Sequence, residues 1–237
     1  MKAQFKISIV VCIATLLASC NLAGYDFQEN ATYIKSTKDT QTNKSVMEFM
    51  QSRTDLFSSM LQAIEYTGLD TLYAKTGNTY LLLTNYALSS LTKENAAYNP
   101  NNASVYLNTT AYFYVNKVPN PELPGTTMYG TKWSDYDITT VRELLKYHVV
   151  KGTYNYAQLN ANRVWANTYA AGDTCKMSFV LTNDRNASLN IQTNSLTGVV
   201  SQIKPRTSGL ECTNSGSVQV MDRYILPPTK KQLNLNY

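Results

Sequence analysis

Leu144-Leu145-Lys146-Tyr147-His148-Val149-Val150-Lys151-Gly152 and Ser217-Val218-Gln219-Val220-Met221-Asp222-Arg223-Tyr224-Ile225-Leu226-Pro227-Pro228 are the two stretches on which the fold turns. The first reads as the end of a helix running into a buried strand. Its apolar residues have helical spacing, Val149-Val150 follows, and Gly152 is a stop. The second alternates Val218 and Val220 inward with polar residues outward. It closes on Pro227-Pro228, which cannot continue a sheet ladder.

A third stretch, Thr79-Tyr80-Leu81-Leu82-Leu83-Thr84-Asn85-Tyr86-Ala87-Leu88, reads as an apolar strand leading into a helix start. Helices are expected through the rest of the first half. Val46–Thr67 places Met47, Met50, Leu56, Phe57, Met60, Leu61 and Ile64 at helical spacings. This predicts two helices broken near Ser52–Asp55, with Ser52 or Thr54 capping the second and Gly68 ending it. Leu69–Lys75 gives a short helix and Ile138–Tyr147 a longer one. The second half reads as strands at Val164–Tyr169, Met177–Thr182, Ser188–Thr193, Val199–Ile203 and Ser217–Leu226, separated by Gly, Asn, Asp and Pro signals. Trp165 lies in one of these strands and is expected in the core.

Taken together, the three stretches resemble the boxes of the fasciclin domain. The Tyr147-His148 pair followed by Val149-Val150 and Gly152 matches its central motif, and Asp222-Arg223 followed by Leu226-Pro227-Pro228 matches its last strand. In the first box Thr84, Asn85 and Ala87 fit, whereas Leu82-Leu83 stand where the family has Ala-Pro. The resemblance covers residues 45–228. It implies an α+β fold: a single fasciclin-like domain, with an antiparallel β-wedge or sandwich of about seven strands and several packed helices. It also implies that Tyr147, His148, Asp222 and Arg223 are structural, with His148 inside the core and bonded to backbone.

The start of the chain reads as a lipoprotein signal peptide, residues 1–19. Lys2 and Lys6 are basic, Ile7 to Leu17 form an apolar core too short to span a bilayer, and Leu17-Ala18-Ser19-Cys20 is a lipobox. Cys20 is the expected lipidation site, and several acyl chains would hold the chain on a membrane. Asn21 in place of Asp favours the outer membrane of a Gram-negative cell, on its periplasmic or outer face. Residues 20–44 then form a lipidated N-terminus and flexible tether, of roughly 25–30 Å if random. Residues 229–237 form a C-terminal tail.

Removing Lys2 and Lys6 with the signal lowers the net charge from +5 to +3. The remaining basic residues are scattered, which argues against a nucleic-acid partner. No internal repeat is visible. His148 is the only histidine and has no nucleophile or orienting group in view, and no Cys, Asp or Glu spacing suggests a metal site. No catalytic residue and no cofactor are assigned. Cys175 and Cys212 remain after processing as a possible disulfide. It would close a loop of about 37 residues and add roughly 3–4 kcal/mol.

Residues 91–136 interrupt the family pattern. Within them, Ser104–Lys117 reads as a hairpin or a bent strand, followed by a Pro-rich loop. Tyr129, Trp133 and Tyr136 sit there among Pro, Gly, Asn and Asp. Such aromatic residues either meet a partner protein or glycan, with Trp133 as anchor, or fold back to close the insert over the domain. The expected function is therefore a non-enzymatic binding or cell-adhesion module, anchored to the outer membrane and contacting an envelope protein or a glycan. The alternatives are a structural accessory subunit of an envelope glycan-uptake complex and a hydrolytic enzyme.

Overall fold

The computed structural model describes residues 40–89, 110–155, 159, 162–181, 189–192, 202–203, 205–213, 216–230 and 233. The signal peptide, Cys20, the tether up to residue 39, residues 91–109 of the insert and most of the C-terminal tail lie outside these.

The first helices form where the apolar spacing places them. Helix α1 is Val46–Gln51 and α2 is Thr54–Thr67. Ser45 caps α1, its hydroxyl accepting from Glu48 N–H while the Glu48 carboxylate takes the Ser45 N–H at 2.8 Å. The expected cap of α2 is corrected. Its N-cap is Arg53, which makes no side-chain cap bond; the guanidinium instead pairs with Asp55 in the first turn. At the other end Gly68 adopts φ 65°, the left-handed conformation that ends a helix and that glycine tolerates. Helix α3, Asp70–Tyr73, follows.

Strand β1, Asn78–Leu83, is buried along its whole length and leads into α4, Asn85–Leu88. After the undescribed stretch come α5 (Tyr112–Val115), β2 (Val118–Pro119), β3 (Thr127–Met128), a 3-10 turn at Trp133–Asp135, and α6 (Ile138–Tyr147). The hairpin or bent strand expected over Ser104–Lys117 is corrected for its described part: Tyr112–Val115 is a helical turn. Asp137 caps α6, accepting from Thr140 N–H at 2.8 Å. The strands that follow are β4 (Val149–Lys151), β5 (Val164–Asn167), β6 (Lys176–Leu181), β7 (Leu189–Gln192), β8 (Gln202–Ile203), β9 (Thr207–Cys212) and β10 (Gly216–Met221).

The fold is α+β. One sheet has the order β4-β1-β10-β9 and a second has β5-β6-β7-β8, while β2 and β3 pair as a small ribbon. The expectation of a wholly antiparallel wedge is corrected at the centre of the first sheet, where β1 and β10 run parallel from Asn78↔Gly216 to Leu83↔Met221. The three diagnostic stretches supply β1, β4 and β10, and so build this sheet together.

The half-exposed reading of β10 is corrected too. Ser217 and Gln219 are as buried as Val218 and Val220. A buried polar side chain needs a partner, and Gln219 finds two. Its Nε2 donates to Ser217 Oγ at 3.3 Å and its Oε1 accepts the Gly209 N–H at 3.2 Å. The latter bond falls where the β9–β10 register shifts between Val218 and Val220, so the side chain stands in for a ladder rung at the bulge.

Thr40–Lys44 lies along the outer edge of β9. Thr42 N–H donates to the Glu211 carbonyl, Glu211 N–H to the Thr40 carbonyl and Thr213 N–H to the Lys44 carbonyl, each at 2.9 Å. The expected tether therefore does not run free as far as residue 44; its last residues cover an otherwise open sheet edge.

Candidate functional site

The residues of the three diagnostic sequence stretches act as ties between elements. His148, the C-cap of α6, is fully buried. Its Nδ1–H donates to the Leu144 carbonyl at 2.8 Å, and Nε2 accepts the Ile225 N–H at 2.9 Å. Both ring nitrogens are thus committed to backbone, which fixes the tautomer and leaves no lone pair for a substrate. Burial pushes the imidazole pKa down to about 4, against a smaller upward pull from the Leu144 bond.

Tyr147 is buried and its hydroxyl donates to the Lys176 carbonyl at 2.8 Å, joining α6 to the second sheet. Asp222 accepts from Thr84 Oγ1 at 2.7 Å, and Thr84 N–H donates to the Met221 carbonyl at 2.9 Å. The end of β10 is thereby fastened to the N-cap of α4. Arg223 is exposed. Asn85, beside Thr84, reaches α2: its Oδ1 accepts the Ser59 N–H at 2.8 Å and its Nδ2 donates to the Asp55 carbonyl at 3.0 Å.

The three aromatic candidates of the insert separate into two environments. Trp133 is 3% exposed and Tyr136 8%, whereas Tyr129 is 37% exposed. The expectation of Trp133 as an exposed anchor is corrected by its surroundings. The indole N–H donates to the Ser59 carbonyl of α2 at 2.7 Å, and the ring packs edge-on against Phe113 at 4.7 Å. Tyr136 stacks on Phe113 at 5.1 Å and lies over Gly130, where a Cβ would meet its hydroxyl at 2.3 Å. Tyr112 completes this cluster, against Trp133, Tyr136 and Tyr224. From residue 110 onward the insert is folded back on the domain at Trp133 and Tyr136, as the other reading of these rings expected, while Tyr129 stays partly open.

Tyr129 stands outside that cluster. It stacks on Tyr114 at a centroid distance of 4.8 Å and an interplanar angle of 18°, with Lys117 Nζ 5.1 Å from its ring centroid. The hydrogen bond to Tyr129 is the main cause of a raised Tyr114 phenol pKa. Exposed Val115 and Leu123 lie on the same segment, on α5 and in the loop joining β2 to β3. Tyr114 and Lys117 were not singled out from sequence. Tyr114 lies on the helical turn and Lys117 two residues beyond its end, so they meet at Tyr129 through tertiary placement that no local sequence spacing announces.

The disulfide between Cys175 and Cys212 is corrected: both are free thiols. Cys175 precedes β6 in the second sheet and its Sγ–H donates to the Ala171 carbonyl, whereas Cys212 ends β9 in the first sheet and its Sγ accepts from Thr42 Oγ1. Among the described residues no group of three or more His, Cys, Asp or Glu is arranged to hold a metal ion, and no helix is long and apolar enough to cross a membrane.

No protein-family model matches the chain, and no curated protein matches it. Among solved structures, the chain is similar to a FAS1 domain pair from the insect cell adhesion molecule fasciclin I, with a TM-score of 0.44 and 13% identity. The match covers 80% of this chain and 52% of that one, so the chain spans about half the length of the structure it matches.

Proposed function

We propose that the chain is a fasciclin-like, non-enzymatic binding module of a Gram-negative envelope. Lipid on Cys20 holds it at the outer membrane, and it meets a protein or glycan partner through the face around Tyr129. The anchor is supported by the lipobox Leu17-Ala18-Ser19-Cys20. The family assignment is supported by the three sequence boxes, which contribute the adjacent strands β4, β1 and β10 of one sheet. The observation that carries the recognition face is the stacked Tyr114–Tyr129 pair with Lys117 beside it, partly open to solvent on a segment that its buried neighbours hold rigid. A fixed aromatic surface loses little conformational entropy on binding, which suits it to a partner side chain or a sugar ring.

A second reading, an accessory subunit that supports another envelope protein, is favoured by the use of Trp133 and Tyr136 in closing the insert on α2. One experiment bears on both. Tyr129→Ala is compared with the unsubstituted chain by pull-down from envelope extract and on a glycan array, with melting temperature measured alongside. The expected result is a loss of binding of about tenfold or more with nearly unchanged stability. Trp133→Ala should instead lower the melting temperature by several degrees, through the cavity and the lost indole hydrogen bond to the Ser59 carbonyl. Unchanged binding by Tyr129→Ala and by Tyr114→Ala would remove this face from recognition.

A further inference from the structure

A second aromatic ring, that of the half-buried Tyr169, is flanked by more positive charge than Tyr129. Lys75 Nζ lies 5.0 Å and Lys151 Nζ 5.2 Å from the ring centroid of Tyr169. Lys75 precedes β1, Lys151 ends β4, and Tyr169 follows β5, so three separate chain segments converge on one ring. The ring is held firmly. Tyr169 N–H is shared between the Val149 carbonyl at 3.0 Å and the Lys146 carbonyl at 3.2 Å. Its hydroxyl donates to Oδ1 of the buried Asn78 at 3.2 Å, and Asn78 is the ladder partner of Lys151.

Neither ammonium makes an ion pair among the described residues. Ion pairs join Arg53 to Asp55, Lys146 to Glu143 and Arg206 to Asp222. Two cations within 5.0 and 5.2 Å of one ring centroid are no more than about 10 Å apart, about the distance over which physiological salt screens charge, so one polyanion can reach both. Cation–π attraction holds each near the ring but neutralises neither. A group that places negative charge between them would satisfy both.

We propose that Lys75, Lys151 and Tyr169 form a binding point for a sulfated polysaccharide, the two ammonium groups taking the ester oxyanions and the tyrosine ring meeting the sugar. A saccharide fits better than a membrane surface. A membrane calls for a broad basic face with apolar anchors, whereas here two charges converge on a single aromatic ring. The site shares no residue with the Tyr129 face and does not rest on it.

The test is binding of fluorescent dextran sulfate to the mature chain at about 150 mM salt, with neutral dextran as reference. The doubly substituted Lys75→Gln, Lys151→Gln chain is compared with a Lys44→Gln, Lys230→Gln chain of the same net charge. The expected result is that dextran sulfate binds and neutral dextran does not. The first pair of substitutions should weaken binding by about tenfold or more and flatten its salt dependence by about two charges, by analogy with counterion release from nucleic acids. The second pair should leave both nearly unchanged, and Tyr169→Phe, which keeps the ring, should bind normally. Equal losses in the two doubly substituted chains would mean attraction to net charge, and no loss in the first would mean no site; either overturns the proposal. It is also overturned if anionic phospholipid vesicles bind as tightly as dextran sulfate with the same dependence on Lys75 and Lys151.

Discussion

His148 shows how one residue can be read from sequence and then made quantitative by structure. Its place after Tyr147 and before Val149-Val150 marked it as a core residue, and its two backbone bonds account for that role. Burial disfavours the charged ring, so the folded pKa is depressed, to about 4 against 6.5, despite the smaller upward pull of the Leu144 bond. The sign follows from proton counting. Between these values the unfolded chain binds the proton and the folded chain does not. The contribution to stability is therefore complete above about pH 6.5 and is lost as pH falls toward 4, amounting to about 3 kcal/mol. With one histidine in the chain, a rise in stability between pH 4.5 and 6.5 points to this ring, since ordinary carboxylates titrate mostly lower. Urea unfolding of the unsubstituted chain should show that rise, and His148→Gln, though less stable throughout, should be nearly flat across it. A variant that kept the slope would place its source elsewhere. Trp133 and Tyr136 were less legible because their burial depends on Tyr112 and Phe113, which become partners only through the helical turn of α5.

At the scale of elements, legibility followed how much each element states locally. Helix α6 was read to its end residues because Asp137 is a strong cap and the apolar spacing is clean. Strand β9, Thr-Ser-Gly-Leu-Glu-Cys, was missed because it lacks a run of β-branched or aromatic residues and is held by its neighbours. Strand β10 was found, but its position between β1 and β9, with both faces covered, was not visible in its alternation. The parallel pairing of β1 with β10 sets a strict demand at its first rung. Gly216 sits opposite Asn78 with φ 105°, and a Cβ there would meet the Asn78 carbonyl oxygen at 2.1 Å. Gly216→Ala combines a strained backbone with a collision against main chain that cannot rotate away. We expect a loss of about 3 kcal/mol or more in urea unfolding. By contrast Gly68→Ala, at φ 65° but with nothing near the added carbon, should cost about 1 kcal/mol. Similar losses at the two sites would show that the β1–β10 contact is looser than drawn.

The cysteines belong to the scale of the whole molecule, because whether they meet depends on where two sheets place them and not on either local sequence. The exported setting expected from sequence would allow a bond, but the fold puts one thiol before β6 and the other at the end of β9. Their surroundings also differ. Cys175 is partly exposed, whereas Cys212 is buried and bonded by Thr42 of the edge segment Thr40–Lys44. Burial raises both thiol pKa values, with Glu143 adding to the effect at Cys175, so neither is activated. Reaction at Cys212 should require that segment to leave β9, a partial opening that exposes the sheet edge without unfolding the sheet. In the native mature chain a thiol reagent should therefore modify Cys175 first and Cys212 about 100-fold more slowly, as an opening of about 3 kcal/mol would give. Cys175→Ser and Cys212→Ser assign the two phases. Thr42→Val, which removes the hydroxyl while keeping the shape, should speed the slow phase and leave the fast one alone. Two blocked thiols in denatured, unreduced protein would instead mean that the ends of the two sheets come together, and the edge segment would then be pinned by a covalent bond rather than by the three backbone hydrogen bonds seen along β9.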